Sequence, residues 1–264
     1  MSKQVARTIR CAALAGLAAL LASCGWFGGS KDDTYVEQPV EILYNRALDD
    51  LGRQEYKAAA KEFEEVDRQH PYSVWATKAE IMAAFTYYQS NKYDDAIIAL
   101  DRFIQLHPGH KDIPYAYYLK GLCYYEQISD VGRDQRVTQQ ALDSLSDVAK
   151  RFPDTPYARD ARLKVELTID HLAGKEMEIG RYYQKQLQYV GAINRYRTVI
   201  ERYQTTTHVP EALHRLVECY LALGVKTEAQ ESAAVLGYNF PGSDWYADSY
   251  FLLTGQDYRF DSSK

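Results

Sequence analysis

A motif that recurs five times along this chain of 264 residues constrains its fold more than any other feature. In the first copy, Tyr56-x-x-Ala59-x-x-x-Phe63 is followed by the dipeptide His70-Pro71, and every element of this pattern returns 37 residues later, from Tyr93 to Pro108. Four of the five copies place a Pro twelve residues after the marked Ala. The marked alanines are Ala59, Ala96, Ala141, Ala192 and Ala229.

The spacing of this motif predicts pairs of antiparallel helices. A small Ala lets two helices approach closely, and the residue four positions later lies on the same helix face and fills the groove beside it. Pro ends the second helix of each pair because it cannot continue the backbone hydrogen bonds. Polar turns such as Ser90-Asn91-Lys92 join the two helices. We therefore predict an all-α fold, an α-solenoid of about five helix-turn-helix units that resemble the tetratricopeptide (TPR) repeat.

Two segments interrupt the repeat. About eight extra residues surround the stretch from Asp130 to Arg136, and an additional helix is predicted from Tyr157 to Leu172. Insertions in a solenoid form loops or added layers, which often carry specificity. We divide the repeats into units 1–3, over residues 39–156, and units 4–5, over residues 157–255, with a tail over residues 256–264.

The first residues are typical of a bacterial export signal. Three basic side chains precede an apolar run from Cys11 to Ala22, which is too short to span a bilayer. The run ends in Leu21-Ala22-Ser23-Cys24, which resembles the lipobox of bacterial lipoproteins. We therefore predict a signal peptide over residues 1–23 and lipid modification of Cys24. The alternative is an ordinary cleaved signal with an incidental Cys.

Residues 24–38 include Gly28-Gly29-Ser30 and predict a flexible tether between the lipid and the helical repeats. Gly25 follows the modified Cys, as in lipoproteins sorted to the outer membrane, so we expect a lipid-anchored protein on the periplasmic face of that membrane. Removal of residues 1–23 takes away three basic residues and changes the formal charge from −5 to −8. Basic residues are spread along the helices, which argues against nucleic acid or phosphate as a ligand.

An aromatic groove is predicted on the first helix of each unit, which lines the concave surface of TPR proteins. With the marked Ala counted as position 20, positions 2, 5, 9 and 12 share one helix face. In units 1–3 these positions are mostly aromatic or aliphatic. Rigid aromatic rings give a large contact area at a low entropic cost, which suits an extended peptide with aromatic side chains. The alternative is that the rings pack between neighbouring helices. The proposed peptide-binding residues are Tyr44, Phe85, Tyr88, Tyr115, Tyr118 and Tyr125.

In units 4–5 the same four positions are mainly polar or charged, and they include Arg181, Gln184 and Glu218. The two halves of the predicted groove therefore differ in polarity. The same numbering also places three further side chains on the concave surface, namely Ile81, Met177 and His214.

The sequence contains no motif of a catalytic or metal site, such as HExxH, GxSxG, a P-loop or CxxC. His107-Pro-Gly-His110 suggests a metal pair, but the counterpart His70-Pro71 indicates that the first His occupies a turn of the repeat. Cys123 and Cys219 fall two units apart, beyond the reach of a disulfide, so we expect buried free thiols. We predict no enzymatic activity, cofactor or metal. The alternative is a lytic transglycosylase or a peptidase carried on helical repeats.

Three local patterns resemble the BamD family, the TPR lipoproteins of the β-barrel assembly machinery in Gram-negative outer membranes. Tyr87-Tyr88 followed by Tyr93-x-x-Ala96 is similar to the second unit of that family. The inserted Arg133-Asp134-Gln135 resembles its characteristic loop, and Tyr189-x-x-Ala192-x-Asn194-Arg195 resembles its fourth unit. The similarity covers about residues 38–250. Two turn positions depart from the family pattern, because Gln188 and Gln204 stand where Gly and Pro are often found.

The resemblance implies a scaffold with two binding surfaces. Its amino-terminal half would contact unfolded outer-membrane proteins, whose final strand ends in an aromatic residue. Its carboxy-terminal half would bind the POTRA domains of the Omp85-type barrel subunit, in a complex with other Bam lipoproteins. Arg195 is the residue that we expect at this contact, and the alternative is a surface ion pair with Glu201 or another neighbour. The alternative function is that of a TPR lipoprotein in cell division, peptidoglycan coordination or pilus assembly.

Overall fold

The computed structural model describes residues 37–256, and this range contains eleven α-helices and no strand. The predicted signal peptide, Cys24, most of the tether and nearly all of the tail lie outside the described residues. All of the helices belong to one compact unit. In chain order they are α1 (Val40–Gly52), α2 (Tyr56–Gln69), α3 (Val74–Gln89), α4 (Tyr93–Leu106), α5 (Ile113–Tyr125), α6 (Arg136–Arg151), α7 (Pro156–Lys185), α8 (Tyr189–Arg202), α9 (Val209–Ala222), α10 (Lys226–Asn239) and α11 (Asp244–Thr254).

The helices pair as the repeat predicts, and the all-α solenoid is confirmed. Helices α1 and α2, α3 and α4, α5 and α6, the second half of α7 and α8, and α9 and α10 form the five units, with α11 packed on the last pair. The buried side chains fall into five separate clusters along the chain instead of one central core. Each unit therefore buries its apolar surface mainly against its neighbours, as in other solenoids.

The alanine motif forms the centre of each unit. All five marked alanines are fully buried, and the side chain four positions after each of them is at most 5% exposed. A buried Ala with a larger residue one turn later brings the paired helices close together and fills the space beside them. The larger residues are Phe63, Leu100, Leu145 and Tyr196, and Ala233 takes this place in unit 5.

The second helix of every unit ends in the same backbone conformation. The residue after its last turn has a φ between −136° and −126° and a ψ between 46° and 54°. A following Pro favours such a non-helical conformation. Tyr203 adopts it without a Pro, so Gln204 leaves the geometry of this turn unchanged. The five residues are His70, His107, Phe152, Tyr203 and Phe240.

Four of the turns inside the units share a residue in the left-handed region, at equivalent positions. Their φ values are 63° for Gln54, 59° for Asn91, 60° for Leu187 and 76° for Gly224. Only Gly adopts this conformation without a steric cost, which is about 1–2 kcal/mol for a residue such as Leu. In unit 3 the insertion takes the place of this turn.

Helix α7 corrects one prediction. The additional helix expected from Tyr157 to Leu172 and the first helix of unit 4 form one continuous helix of 30 residues. Its first half packs with α5 and α6, and its second half packs with α8 and α9. Gly174 does not interrupt it, because one Gly costs only about 1 kcal/mol in a helix and burial of the flanking Ala173 and Met177 outweighs that cost.

Gly180 on α7 supplies a test of this packing. A Cβ added there would lie 2.9 Å from both Cδ1 and Cζ of the Tyr196 ring, which is fully buried. We expect Gly180→Ala to lower the free energy of unfolding by about 1–3 kcal/mol, although Ala favours helix formation. Gly52→Ala is the matched control, since a Cβ at Gly52 would meet nothing within 4 Å. Urea unfolding of both variants measures the difference, and equal stability would contradict the close approach.

Candidate functional site

Five of the proposed peptide-binding side chains come together on α3 and α5. We call them the aromatic face, and each of them is partly exposed. The Tyr88 ring lies 5.8 Å from the Tyr93 ring, and its hydroxyl donates a hydrogen bond to Glu126 Oε1 at 3.5 Å. The members of the aromatic face are Phe85, Tyr88, Tyr115, Tyr118 and Tyr125.

Helix α7 forms one wall of the aromatic face, which the sequence did not predict. The Tyr157 ring lies 5.4 Å from the rings of both Tyr115 and Tyr118. The Tyr118 hydroxyl donates a hydrogen bond to Asp160, and Lys164 Nζ lies 4.9 Å from the centre of the Tyr125 ring. Part of each tyrosine is therefore used in packing between helices, and the remaining exposed part is the surface open to a ligand.

Three tyrosines of this face, Tyr88, Tyr115 and Tyr118, remain hydrogen-bond donors over the physiological pH range. Burial, followed by the charge of Glu126, raises the pKa of Tyr88 to about 12. Burial, together with neighbouring Tyr157, raises the pKa of Tyr115 to about 12. Burial and then the hydrogen bond to Asp160 also raise the pKa of Tyr118. The face therefore combines apolar rings with neutral hydroxyl groups.

A cleft of about 340 Å³ extends the aromatic face past Tyr125. It lies between α7 and the start of the insertion, and Leu167 and His171 of α7 line it together with Ile128. The Nε2 atom of His171 is buried and has no hydrogen-bond partner among the residues that the structure describes.

Tyr44 does not join the aromatic face. Its ring lies 5.5 Å from the Phe63 ring and 4.9 Å from the Trp75 ring, and it packs, partly buried, against the core cluster of unit 1. Burial raises the pKa of this tyrosine as well. Among the six proposed residues, Tyr44 is the one that lies on α1, away from α3 and α5.

Three residues expected on the concave surface are buried instead. Ile81, Met177 and His214 are between 0% and 8% exposed. All three occupy position 5 of their units, the same position as Tyr44 and Tyr118. This position points towards the adjacent helices as much as towards the concave side, which explains why large residues there are wholly or partly buried.

The concave side of units 4 and 5 carries a polar network. Arg181 on α7 forms two hydrogen bonds to Glu211 on α9, at 2.9 and 2.7 Å. Gln184 and Arg215 both donate to Glu218 Oε2 at 2.8 Å. The sequence placed Arg181, Gln184, Glu211 and Glu218 on one surface, and the structure brings them into contact there.

Glu218 is the most strongly perturbed acid of this network. Burial disfavours its carboxylate, but hydrogen bonds from His214, Arg215 and Gln184 outweigh this effect and lower the pKa of Glu218 to about 2. Burial also opposes ionisation of Glu211, and the pairing with Arg181 again lowers its pKa. Both carboxylates are therefore charged at neutral pH and fix the two arginines in place.

Arg195 lies on α8 with its side chain 41% exposed. Its Nη1 atom donates to Glu176 Oε2 at 3.1 Å, and the Glu176 side chain is 19% exposed. The sequence named Glu201 as one possible partner, but Glu201 pairs with Arg197. Arg195 thus has an ion-pair partner and still reaches solvent.

The side chain of Gln135 forms hydrogen bonds with the backbone of the inserted loop. The Gln135 side-chain amide donates to the carbonyl of Arg133 at 3.0 Å, and its Oε1 accepts from the Thr138 hydroxyl at 2.8 Å. Asp130 accepts the N–H of Gly132 at 2.7 Å. Gln135 therefore organises the loop, whereas the Arg133 side chain is exposed.

Residues 37–256 contain no group of three or more His, Cys, Asp or Glu side chains that could hold a metal ion. His107 instead hydrogen bonds Glu80 at 2.9 Å, and the His110 ring accepts from the Asp112 N–H at 3.3 Å. Cys123 and Cys219 are both buried and free, as expected. In the same range, no helix combines the length and apolar character needed to cross a membrane.

The acid-dependent stability of the polar network is testable through Glu218. Its folded pKa lies below the ordinary Glu value of about 4.3, so its contribution is complete above that value and is lost as the pH falls towards 2. We expect Glu218→Gln to lower the free energy of unfolding by up to about 3 kcal/mol at neutral pH, with the difference vanishing near pH 2. Urea unfolding across this pH range measures the difference in the free energy of unfolding. Glu228→Gln, at an exposed position of α10, is the control. A difference that stays constant with pH would contradict the prediction.

Comparison with known proteins gives the family of this chain. Residues 36–236 match the YfiO family, described as an outer membrane lipoprotein. Outer membrane protein assembly factor BamD of Caulobacter vibrioides is 51% identical over 245 residues, covering 92% of this chain and 80% of that protein. BamD of Rickettsia prowazekii is 48% identical over 223 residues, covering 84% of this chain and 89% of that protein. Among solved structures, the P58(IPK) TPR domain is 17% identical with a TM-score of 0.41, covering 81% of this chain and 55% of that chain. This chain belongs to the BamD family, also called the YfiO family of outer membrane lipoproteins.

Proposed function

We propose that this protein is a lipid-anchored scaffold of outer membrane protein assembly, in which units 1–3 bind unfolded barrel segments and units 4–5 bind the barrel-forming core subunit. The observation that carries this proposal is the difference in polarity between the aromatic face and the polar network. Relatives named as outer membrane protein assembly factors support the general role.

The aromatic face suits the carboxy-terminal segment of a β-barrel protein. Such a segment is extended and ends in an aromatic residue, so rings and neutral hydroxyl groups can pack against its side chains and bond its backbone. The adjoining cleft extends this surface past Tyr125, with Leu167 and His171 in its lining. We assign this binding to Phe85, Tyr88, Tyr115, Tyr118 and Tyr125, with Tyr44 supporting the fold of unit 1.

Units 4–5 suit a folded, polar partner. The arginines of the polar network are held by carboxylates, so little side-chain entropy is lost when a partner binds beside them. Arg195 lies in the same half and reaches solvent from its pair with Glu176. We assign the contact with the POTRA domains of the Omp85-type subunit to this half, beside other Bam lipoproteins.

The remaining parts of the proposal follow from the sequence. Acylation of Cys24 would anchor the protein in the periplasmic leaflet of the outer membrane. The TPR-type fold and the family support a scaffold without catalytic activity, cofactor or nucleic-acid ligand.

Depletion of the protein from cells tests the general role. We expect the levels of many outer-membrane barrel proteins to fall together, as measured by proteomics of the membrane fraction. Unaltered barrel levels with a defect in septation or pilus formation would instead favour the alternative function. Release of labelled peptidoglycan fragments by the purified protein would favour the enzymatic alternative.

Photo-crosslinking tests the aromatic face. We expect a crosslinker at Phe85, Tyr88 or Tyr125 to capture a synthetic peptide with the sequence of a barrel protein's last strand. Replacement of the terminal aromatic residue of the peptide by Ala should reduce the capture, because it removes the ring that packs against the face. Crosslinkers at Arg181 and Glu218 are the controls. Equal capture at those two positions would contradict the assignment to units 1–3.

Two matched variants distinguish a contact between Arg195 and the partner from a purely structural role of the Arg195–Glu176 ion pair. We expect Arg195→Ala to weaken binding of the purified POTRA domains about tenfold, which corresponds to the loss of one interface contact of moderate strength. Glu176→Gln removes the same intramolecular pair but leaves Arg195 available, so binding should be unchanged or tighter. Equal weakening in both variants, measured by calorimetry, would show that the pair only supports the fold.

A further inference from the structure

A second surface of units 1 and 2 has a different chemistry from the aromatic face. An open cleft of about 680 Å³ lies where the chain turns inside these two units. Residues 54–58 and Lys61 line one side of it, at the start of α2. Tyr87 and Ser90 at the end of α3, and Lys92 just before α4, line the other side.

Three lysines converge on this cleft, namely Lys57, Lys61 and Lys92. Within residues 37–256 none of them forms a salt bridge, whereas Lys120, Lys164 and Lys175 each pair with a carboxylate. Lys92 instead lies over the Tyr87 ring at 5.8 Å. The cleft therefore holds three cationic groups whose charge is not neutralised by direct pairing.

Acidic groups also lie near the cleft: the charge of Asp95 acts on Tyr87, and Lys61 attracts Glu65, which helps to lower the pKa of that acid. Glu55 is the only carboxylate among the lining residues of the cleft. Glu64 accepts a hydrogen bond from the Tyr87 hydroxyl. Glu65 is bound by Arg68 and Gln69, and its pKa is lowered mainly by the hydrogen bond from Arg68. The first turn of α2 contains no acidic side chain, and Glu55 does not cap it, so the free N–H groups add to the positive potential.

This cluster could not be recognised in the sequence, where the basic residues are spread along the helices. The fold brings Lys92 across from Lys57 and Lys61, more than thirty positions earlier in the chain. The protein as a whole is acidic, with a formal charge of −5 over all 264 residues. Three lysines that meet at one cleft without a salt bridge to any described residue favour an anionic ligand. Lysine ammonium groups bind phosphate as point charges.

We propose that this cleft binds the phosphate of an anionic phospholipid headgroup and so holds unit 1 against the membrane. The proposal rests on the lipid anchor of the proposed function. Tyr56 and Tyr87 at the cleft suit this place, because tyrosine rings favour the level of the headgroups. Tyr87 and Tyr88 point to different sides of α3, so the aromatic face stays open when the cleft meets the bilayer.

The length of the tether allows this contact. Residues 24–38 can extend over about 50 Å, at roughly 3.3–3.6 Å per residue. The cleft lies at the far end of α1, whose 13 residues span about 20 Å. The anchor can therefore remain in the bilayer while the cleft reaches the headgroups of the same leaflet.

Vesicle flotation tests the proposal without the anchor. A chain starting at residue 25 lacks Cys24 but retains the compact unit with all five core clusters. We expect it to float with phosphatidylcholine vesicles that contain phosphatidylglycerol and to stay unbound with phosphatidylcholine alone. Each lysine near an anionic surface strengthens binding about fivefold, so Lys57→Gln, Lys61→Gln and Lys92→Gln together should weaken it about a hundredfold.

The control variant combines Lys111→Gln, Lys150→Gln and Lys226→Gln, which changes the total charge equally at exposed positions elsewhere. It should bind as the unchanged chain does. Equal weakening in both triple variants would overturn the proposal, because it would reflect total charge alone. If the cleft variant does not fold, as judged by circular dichroism, the single variants Lys57→Gln and Lys92→Gln should each weaken binding about fivefold, and unchanged binding would overturn the proposal.

Two further measurements distinguish the source of the anion. Binding of inorganic phosphate or of an acidic peptide without vesicle binding would overturn the membrane assignment in favour of that ligand. Displacement from vesicles by inorganic phosphate would support recognition of the phosphate group.

A crosslinking experiment on the triple lysine variant of the cleft tests whether the cleft and the aromatic face bind independently. If the variant still captures the peptide at the aromatic face but no longer binds vesicles, the proposal is supported. If a folded variant also loses peptide capture, the proposal that the cleft is a separate site is overturned.

Discussion

The close approach of paired helices at a buried alanine is the contact on which the rest of this structure depends. Each unit repeats it, with Ala59 and Phe63 in the first unit and Ala192 and Tyr196 in the fourth. Gly180 extends the same principle, because its missing Cβ makes room for the Tyr196 ring. Since every such contact joins neighbours in sequence, the solenoid is a chain of small cores, and each unit presents a surface of its own chemistry.

Helix α7 connects two of these surfaces. Its first half walls the aromatic face through Tyr157 and Asp160, and its second half carries Arg181 and Gln184 of the polar network. The helix is continuous from Pro156 to Lys185, so a single element carries side chains of both surfaces. The proposed substrate surface and the proposed partner surface therefore share one helix, although their side chains differ in polarity.

The polar network, the aromatic face and the lysine cleft differ in how their polar groups are paired within the protein. The carboxylates of Glu211 and Glu218 are paired with arginines, which makes units 4–5 rigid and charged but locally balanced. The aromatic face offers rings and, at Tyr88, Tyr115 and Tyr118, neutral hydroxyl groups. The three lysines of the cleft in units 1 and 2 form no salt bridge with the residues that the structure describes. Such a division would let one scaffold bind the proposed peptide, folded domain and membrane surface at separate sites.

The sequence by itself determined the helical class, the period of the repeat and the buried alanines, because these depend on contacts four residues apart. It also identified Tyr88 and Tyr118 as members of one surface. Only the tertiary structure decided that Tyr44 packs against the core of unit 1, that Met177 is buried and that α7 is continuous. It alone placed Lys92 opposite Lys57. These outcomes depend on the superhelical path between units, which sets how far each helix face turns towards its neighbour and which no local spacing in the sequence records.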